Sequence, residues 1–212
     1  GEATVRGVGL HTGALTTVTC GPAAPGSGIT FRRTDLPDQP TIPARLDQVE
    51  ATERRTAIGH GSTTIHTVEH LLAAVFALGL DDIEVRLDGP EPPILDGSFE
   101  PWRQLLAVAG VTELPGEPRV FRVQAPFTVT AGESSYVVAP ARDGLELTTT
   151  IEWAHPLIGR QMGSWKVTPE VFAHELAGAR TFGFMHEVAA LRAKGLLKGG
   201  STDSAVVLDA TG

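Results

Sequence analysis

Two imidazoles and a carboxylate fall within five residues, His66-Thr67-Val68-Glu69-His70, directly ahead of the apolar stretch that runs from Leu71 to Gly79. Val68, Leu71, Leu72, Val75 and Phe76 keep the spacing of a helix face turned toward a core. Glu69 and His70 fall off that face near the helix start. Thr67 is placed to cap the helix, its hydroxyl accepting from a free N–H of the first turn. The positive end of a helix favours an ionised carboxylate and disfavours a protonated histidine, so Glu69 is expected charged and His70 neutral. That pair has the chemistry of a base for water beside a metal ligand. It also fits a polar first turn on an ordinary core helix, and spacing alone leaves the two readings level.

His66-x-x-Glu69-His70 matches the H-x-x-E-H pattern of a zinc peptidase as well. That reading needs both rings on one helical face. With Thr67 as the cap, His66 lies outside the helix and the rings diverge.

Other stretches carry weaker signals. Gly7-Val8-Gly9-Leu10-His11-Thr12-Gly13 sets glycines around His11, as a site loop or a tight turn would. Arg180-Thr181-Phe182-Gly183-Phe184 sets a cation and a hydroxyl beside aromatic rings, but taken alone it is better explained by a buried strand with a satisfied threonine. Glu152-Trp153 offers an aromatic platform next to a carboxylate, although tryptophan is as useful in a core.

The elements that must position these residues alternate between the two periodicities. Leu15–Cys20, Gly28–Arg33 and Asp82–Leu87 read as strands. Ser98 is the expected N-cap of a second helix whose buried stripe is Trp102, Leu105, Leu106 and Ala109, ended by Gly110. Thr112 to Pro118 reads as a linker. Beyond it, Val120–Gln124, Phe127–Thr130, Ser135–Val138 and Leu145–Ile151 read as strands, and Pro169–Ala177 and Met185–Lys194 as helices. Strands then helices in each half predict an α+β fold of two domains, residues 1–114 and 119–212, each layering helices on a β-sheet, the second incomplete. The first residues read as mid-strand and the last as a strand barely finished, so the sequence is expected to be a piece of a longer chain.

Composition narrows the function class. Net charge is −8 with no basic run longer than a pair, which argues against a general nucleic-acid binder. The single cysteine, Cys20, rules out an internal disulfide and a cysteine-rich zinc site, and reads as a buried residue in a reducing compartment. The longest apolar run, Leu71 to Leu80, is about half the ~20 residues of a membrane span.

Six motifs taken in order are more specific than any one of them. Gly7–Gly13, Phe31–Leu36, Thr67–Leu71, Pro93–Ser98, Ala179–Phe184 and Gly199-Gly200-Ser201 together resemble the UDP-3-O-acyl-N-acetylglucosamine deacetylases, zinc amidohydrolases of lipid A biosynthesis. The likeness covers essentially the whole chain. It implies a cytoplasmic enzyme, monomeric when complete, with zinc at the seam of two domains. By position, the resemblance makes His70 a zinc ligand, Glu69 the general base and Thr181 the hydroxyl that steadies the oxyanion. It makes Phe182 a glucosamine contact, Trp153 a uracil platform beside Glu152, and His11 a further substrate contact. Asp96 and Glu187 fall at acidic positions near the family site. The segment from Met185 to Ser204 resembles the insert that forms an acyl-chain passage, with Leu191, Leu196 and Leu197 as its walls.

The family's other zinc ligands lie on an H-x-x-x-D helix, and its general acid is a later histidine. His174 and His186 are followed four residues on by Gly178 and Ala190, so neither supplies that motif. A catalytic zinc normally has three protein ligands, so these 212 residues are expected to be inactive alone. The alternatives carried forward are the H-x-x-E-H peptidase and a metal-free sugar-nucleotide-binding remnant.

Overall fold

A computed structural model describes residues 1–51, 53–117 and 120–210. The chain opens with β1 (Ala3–Val8) and β2 (Leu15–Pro22), then β3 (Ile29–Arg33), β4 (Thr41–Pro43), β5 (Val49–Ala51) and β6 (Ala57–Ile58). Helix α1 (Glu69–Ala77), β7 (Ile83–Leu87) and α2 (Glu100–Ala109) follow. The second half carries β8 (Phe127–Ala131), β9 (Ser134–Val138), β10 (Leu145–Trp153), β11 (Gly159–Val167), α3 (Pro169–Val171), β12 (Phe182–Phe184), α4 (Met185–Ala193) and β13 (Val206–Leu208). The fold is α+β, as the alternation of periodicities implies.

The first half is a five-stranded sheet in the order β1-β2-β7-β3-β4, mixed because β3 and β7 run parallel. Val18 and Cys20 of β2, Phe31 of β3, and Val85 and Leu87 of β7 alternate onto one face. Leu71, Ala74 and Val75 of α1 and Trp102 and Leu106 of α2 complete that core. Burying each large side chain of this kind contributes roughly 1.5–3 kcal/mol. Burial raises the Cys20 thiol to about 12, so it is an inert core group.

Several expectations are corrected. Thr67 does not cap α1: Val68 is the N-cap residue, and the Thr67 hydroxyl is directed away to a carboxylate, Glu91. Phe76 is 61% exposed rather than part of the buried stripe. Phe99, not Ser98, is the N-cap residue of α2, although Ser98 Oγ still accepts from Glu100 N at 3.2 Å. Residues 120–124 form no strand, being mostly exposed and without a ladder partner. The single helix expected over 169–177 is α3 followed by a wider π turn over Phe172–Leu176. Pro118 of the expected linker and Arg119 of the expected second domain lie outside the described residues, as do residues 211 and 212.

In the second half, β8–β9 and β10–β11 are separate hairpins, while β12 and β13 pair in parallel. This last pair is tied to the first half by backbone bonds. Thr181 N donates to Gly97 O at 2.8 Å, while Val206 N donates to Thr181 O at 3.0 Å within the second half. Lys198 N and Gly199 N donate to His11 O and Leu10 O at 3.2 and 3.1 Å. Among the described residues no helix is long and apolar enough to cross a membrane.

Candidate functional site

The mouth of α1 is set by an unusual backbone. Thr67 has φ of 55°, a left-handed conformation that a β-branched residue rarely adopts. His66 N donates to Pro90 O at 2.9 Å just before this turn. His66 therefore precedes the turn and α1 begins only at Glu69, so His66 and His70 do not share a helical face. That removes the geometry the H-x-x-E-H peptidase needs.

Glu69 is the first residue of α1, and its Oε2 accepts from Thr56 N at 3.0 Å, leaving Oε1 for a second donor. His70 is buried, its ring 5.2 Å from that of Phe99, and its Nδ1 is enclosed without a protein partner. His11 is also buried and lies within electrostatic reach of Glu69, Glu91 and Arg55. Its Nε2 is 3.3 Å from Arg54 O. Burial pushes the His11 imidazole below its ordinary pKa against the opposing pull of Glu91, and burial likewise lowers His66, with Arg55 acting in the same direction.

A short segment missed in the sequence gathers these groups. Within residues 54–56, Arg54 O meets His11, Thr56 N holds Glu69, and Arg54 Nη2 pairs with Glu187 Oε1 at 2.5 Å. Nothing local marks this stretch, because its partners lie at the ends of other elements. Glu187 thus faces the loop that carries the Glu69 contact, and its Oε2 is buried without a partner.

Asp96 shapes the turn on the other side. Its Oδ1 accepts from Ser98 N and Oγ at 2.9 and 2.8 Å, and its backbone O accepts from Arg180 Nε at 2.7 Å. The turn links His70, through the Phe99 ring, to Thr181, through Gly97. Beyond Thr181, Phe182 packs edge-on against Trp153 at 5.7 Å, and Trp153 also meets Phe184 at 5.2 Å. Both Phe182 and Trp153 keep about a third of their surface exposed (38% and 36%). Glu152 stands opposite Arg160 in the hairpin ladder.

Leu191 and Leu196 are joined through the backbone, Leu196 N donating to Leu191 O at 2.9 Å. Leu191 lines an open cavity of about 380 Å3 with Arg54, His186, Glu187 and Lys194. Leu196 is buried, and Leu197 adopts a φ of 54° in the loop beyond α4.

Among the described residues no three His, Cys, Asp or Glu side chains gather as a metal-binding group. The orphaned His70 Nδ1 beside Glu69 fits one ligand and one base, and no more of a donor set than that.

The first half is thus a two-layer α+β unit with a Glu-His pair at a helix mouth, and the segment carrying Thr181 docks against it through Gly97 O. Sequence comparison gives the family: the profile of UDP-3-O-acyl N-acetylglycosamine deacetylase (LpxC) matches residues 1–212, and the chain belongs to that family. A relative in Myxococcus xanthus, named UDP-3-O-acyl-N-acetylglucosamine deacetylase, is 41% identical over 207 residues, covering 98% of this chain and 66% of the relative. Relatives of the same name in Geobacter sp. (strain M21) and Thermosynechococcus vestitus are 40% and 41% identical over 212 residues, or 69% and 73% of their lengths. The chain spans about two thirds of the length of these relatives.

Proposed function

We propose that the protein to which these residues belong hydrolyses the N-acetyl group of UDP-3-O-acyl-N-acetylglucosamine, releasing acetate, in lipid A biosynthesis. Membership of the family supports the reaction. The arrangement that carries it is Glu69, with one carboxylate oxygen held by Thr56 N at 3.0 Å, beside a buried His70 whose Nδ1 lacks a protein partner.

In this reading Glu69 Oε1 takes the proton from the water that attacks the acetamide carbon. The Thr181 hydroxyl donates to the oxygen that becomes negative, a contact of a type typically worth ~10²–10³ in rate. The departing amine needs a proton, whose donor we place outside these 212 residues. Phe182 borders the glucosamine, Trp153 stacks on uracil beside Glu152, and His11 is a further substrate contact. Leu191, Leu196 and Leu197 belong to the acyl-chain side, and Asp96 and Glu187 support the site. We divide the chain into domains at 1–114 and 119–212 and assign the protein to the cytoplasm as a monomer.

His70 would hold zinc as one ligand. When bound, that ion lowers the pKa of its water toward ~7 and polarises the amide carbonyl. None of the seven histidines here has an aspartate four residues on, so the remaining ligands are assigned to family positions that these residues do not contain.

Acetate release by the full-length protein tests the reading. Glu69→Gln should lower kcat by ~10²–10⁴ without changing the fold. His70→Ala should abolish zinc retention, and His66→Ala should be nearly silent. The 212-residue chain should retain far less than one equivalent of zinc by atomic absorption. Unchanged turnover in Glu69→Gln would overturn the mechanism, and stoichiometric zinc in the short chain would overturn the ligand assignment.

A further inference from the structure

Glu91 is a carboxylate with no surface at all, set between Pro90 and Pro92. No ion pair reaches it among the described residues. Burying an unpaired charge is costly unless hydrogen bonds replace the lost water. Here they do. Oε1 accepts from Thr67 Oγ1 at 2.6 Å, and Oε2 from Thr12 N and Thr12 Oγ1, both at 2.7 Å. His11 N donates to both oxygens, at 3.0 and 3.1 Å. Burial alone would raise this carboxyl, but the donors from Thr67, Thr12 and His11 outweigh it and hold the group below its ordinary pKa.

The donors come from two segments only, and each ends at the site. One is the His11 loop, pressed so close that a Cβ on Gly9 would lie 2.5 Å from Glu91 Oε2. The other is Thr67, the left-handed residue two positions before Glu69. A β-branched residue stays in that conformation only where its surroundings compel it. The Glu91 bond to its hydroxyl, with the adjacent bond from His66 N to Pro90 O, supplies the compulsion.

We propose that Glu91 is a positioning residue: by clamping Thr12 and His11 on one side and Thr67 on the other, it fixes where α1 begins and so sets Glu69 and His70 against His11. Its relevance to rate rests on the deacetylase reading above, while the clamp itself is independent of that reading. The proposal goes beyond the six motifs, none of which contains this residue.

The test uses the zinc-loaded full-length protein with Glu91→Gln, Thr67→Val and Thr67→Ser. The Glu91→Gln amide would keep one acceptor and turn an NH₂ toward existing donors. Thr67→Val would keep the shape without the hydroxyl, and Thr67→Ser would keep the hydroxyl. Loss of alignment at a reacting centre can cost ~10²-fold. Glu91→Gln and Thr67→Val should therefore lower kcat by ~10–100-fold, with KM within about twofold and zinc retained. Thr67→Ser should stay within about threefold of the parent. Denaturant unfolding run in parallel shows whether each variant is folded under assay conditions. A folded Glu91→Gln or Thr67→Val with kcat within about twofold of the parent overturns the proposal, as does a Thr67→Ser no better than Thr67→Val. If the parent itself releases no acetate, the functional reading fails and amide NMR decides the clamp. The His11, Glu69 and His70 amides should move together in Glu91→Gln, and shifts confined to residues 90–92 would overturn it.

Discussion

Gly97 shows how much can rest on one missing side chain. Its φ is 82°, and an added Cβ would collide with Ser204 O and come within 3.3 Å of Thr181 Cγ2. Its own carbonyl receives Thr181 N at 2.8 Å. Gly97→Ala should therefore both strain the turn and push the 181 and 204 segments away, costing on the order of 1–3 kcal/mol in denaturant unfolding. In the full-length enzyme it should lower kcat more than it raises KM, because Thr181 moves with the strand. A variant as stable as the parent would show that the segments do not dock at this point. Gly97 stands in a motif legible in the sequence, but its reason is not, since Ser204 is remote along the chain. Glu91 was less legible still. A carboxylate among prolines reads as part of a rigid connection, and its donors lie 24, 79 and 80 residues away. His11, Glu69 and His70 stand out in the sequence as candidates because glycines flank the first and a Glu-His pair opens an apolar helix. Thr56 does not, because it acts through a backbone N–H that carries no residue identity. Nor does Arg54, because both its carbonyl and its guanidinium meet partners remote along the chain, His11 and Glu187.

Helix limits follow from packing that periodicity only approximates. Leu71, Ala74 and Val75 of α1 face the main core, with Leu78 beyond the last turn, while His70 and Ala77 are buried on another side. Leu72 and Phe76 therefore fall at the edge of the main core. Leu72 stays half-buried there and Phe76 emerges. The π turn at Phe172–Leu176 has a similar origin. Ala177 N reaches back to Phe172 O at 2.7 Å, and Phe172 is buried 5.9 Å from Phe99, whose N–H donates to Ala177 O. Widening the turn satisfies both the ring contact and the carbonyl. Helix α2 makes a prediction about acid. Arg103 grips both oxygens of Glu100 at 2.6 Å and Gln104 adds a bond at 2.7 Å. The Arg103 hydrogen bonds, working against slight burial, lower Glu100 to about 2. A carboxylate depressed in the folded state contributes stability that is present above its ordinary pKa and lost as pH falls toward the folded value. Glu100→Gln should thus cost about 0.5–1 kcal/mol near neutrality, after allowance for solvent screening of a surface pair. That difference should shrink through the window from about 4.5 down to about 2. Unfolding free energies of parent and variant across that range check it, and a difference that does not depend on pH would discount the ion pair.

At the scale of the whole molecule the two halves differ in what their strands have to pack against. The five-stranded sheet buries Val18, Phe31, Val85 and Leu87 completely beneath α1 and α2. Strands β8, β9 and β10 were readable from the same alternation, whereas β11 (Gly159–Val167) was not expected. The pairing puts Phe127 and Val129 opposite Val138 and Tyr136, and Leu147 opposite Trp165. Yet Phe127, Val129, Tyr136, Leu145, Leu147 and Ile151 are all at least 38% exposed. Alternation reports that a face is apolar and says nothing of whether its cover lies within the same 212 residues. Two-stranded hairpins are at best marginally stable alone, and an open apolar edge is a template for another chain. The 212-residue polypeptide should therefore protect amides in β1, β2, β3 and β7 from hydrogen exchange while β8 to β11 exchange rapidly. It should also bind a hydrophobic dye and self-associate as its concentration rises. Val129→Lys with Leu147→Lys should reduce both dye binding and association and leave the protected set unchanged. A polypeptide that sediments as a monomer at every concentration, with β8 to β11 as protected as β2, would mean that the second half covers its own apolar faces.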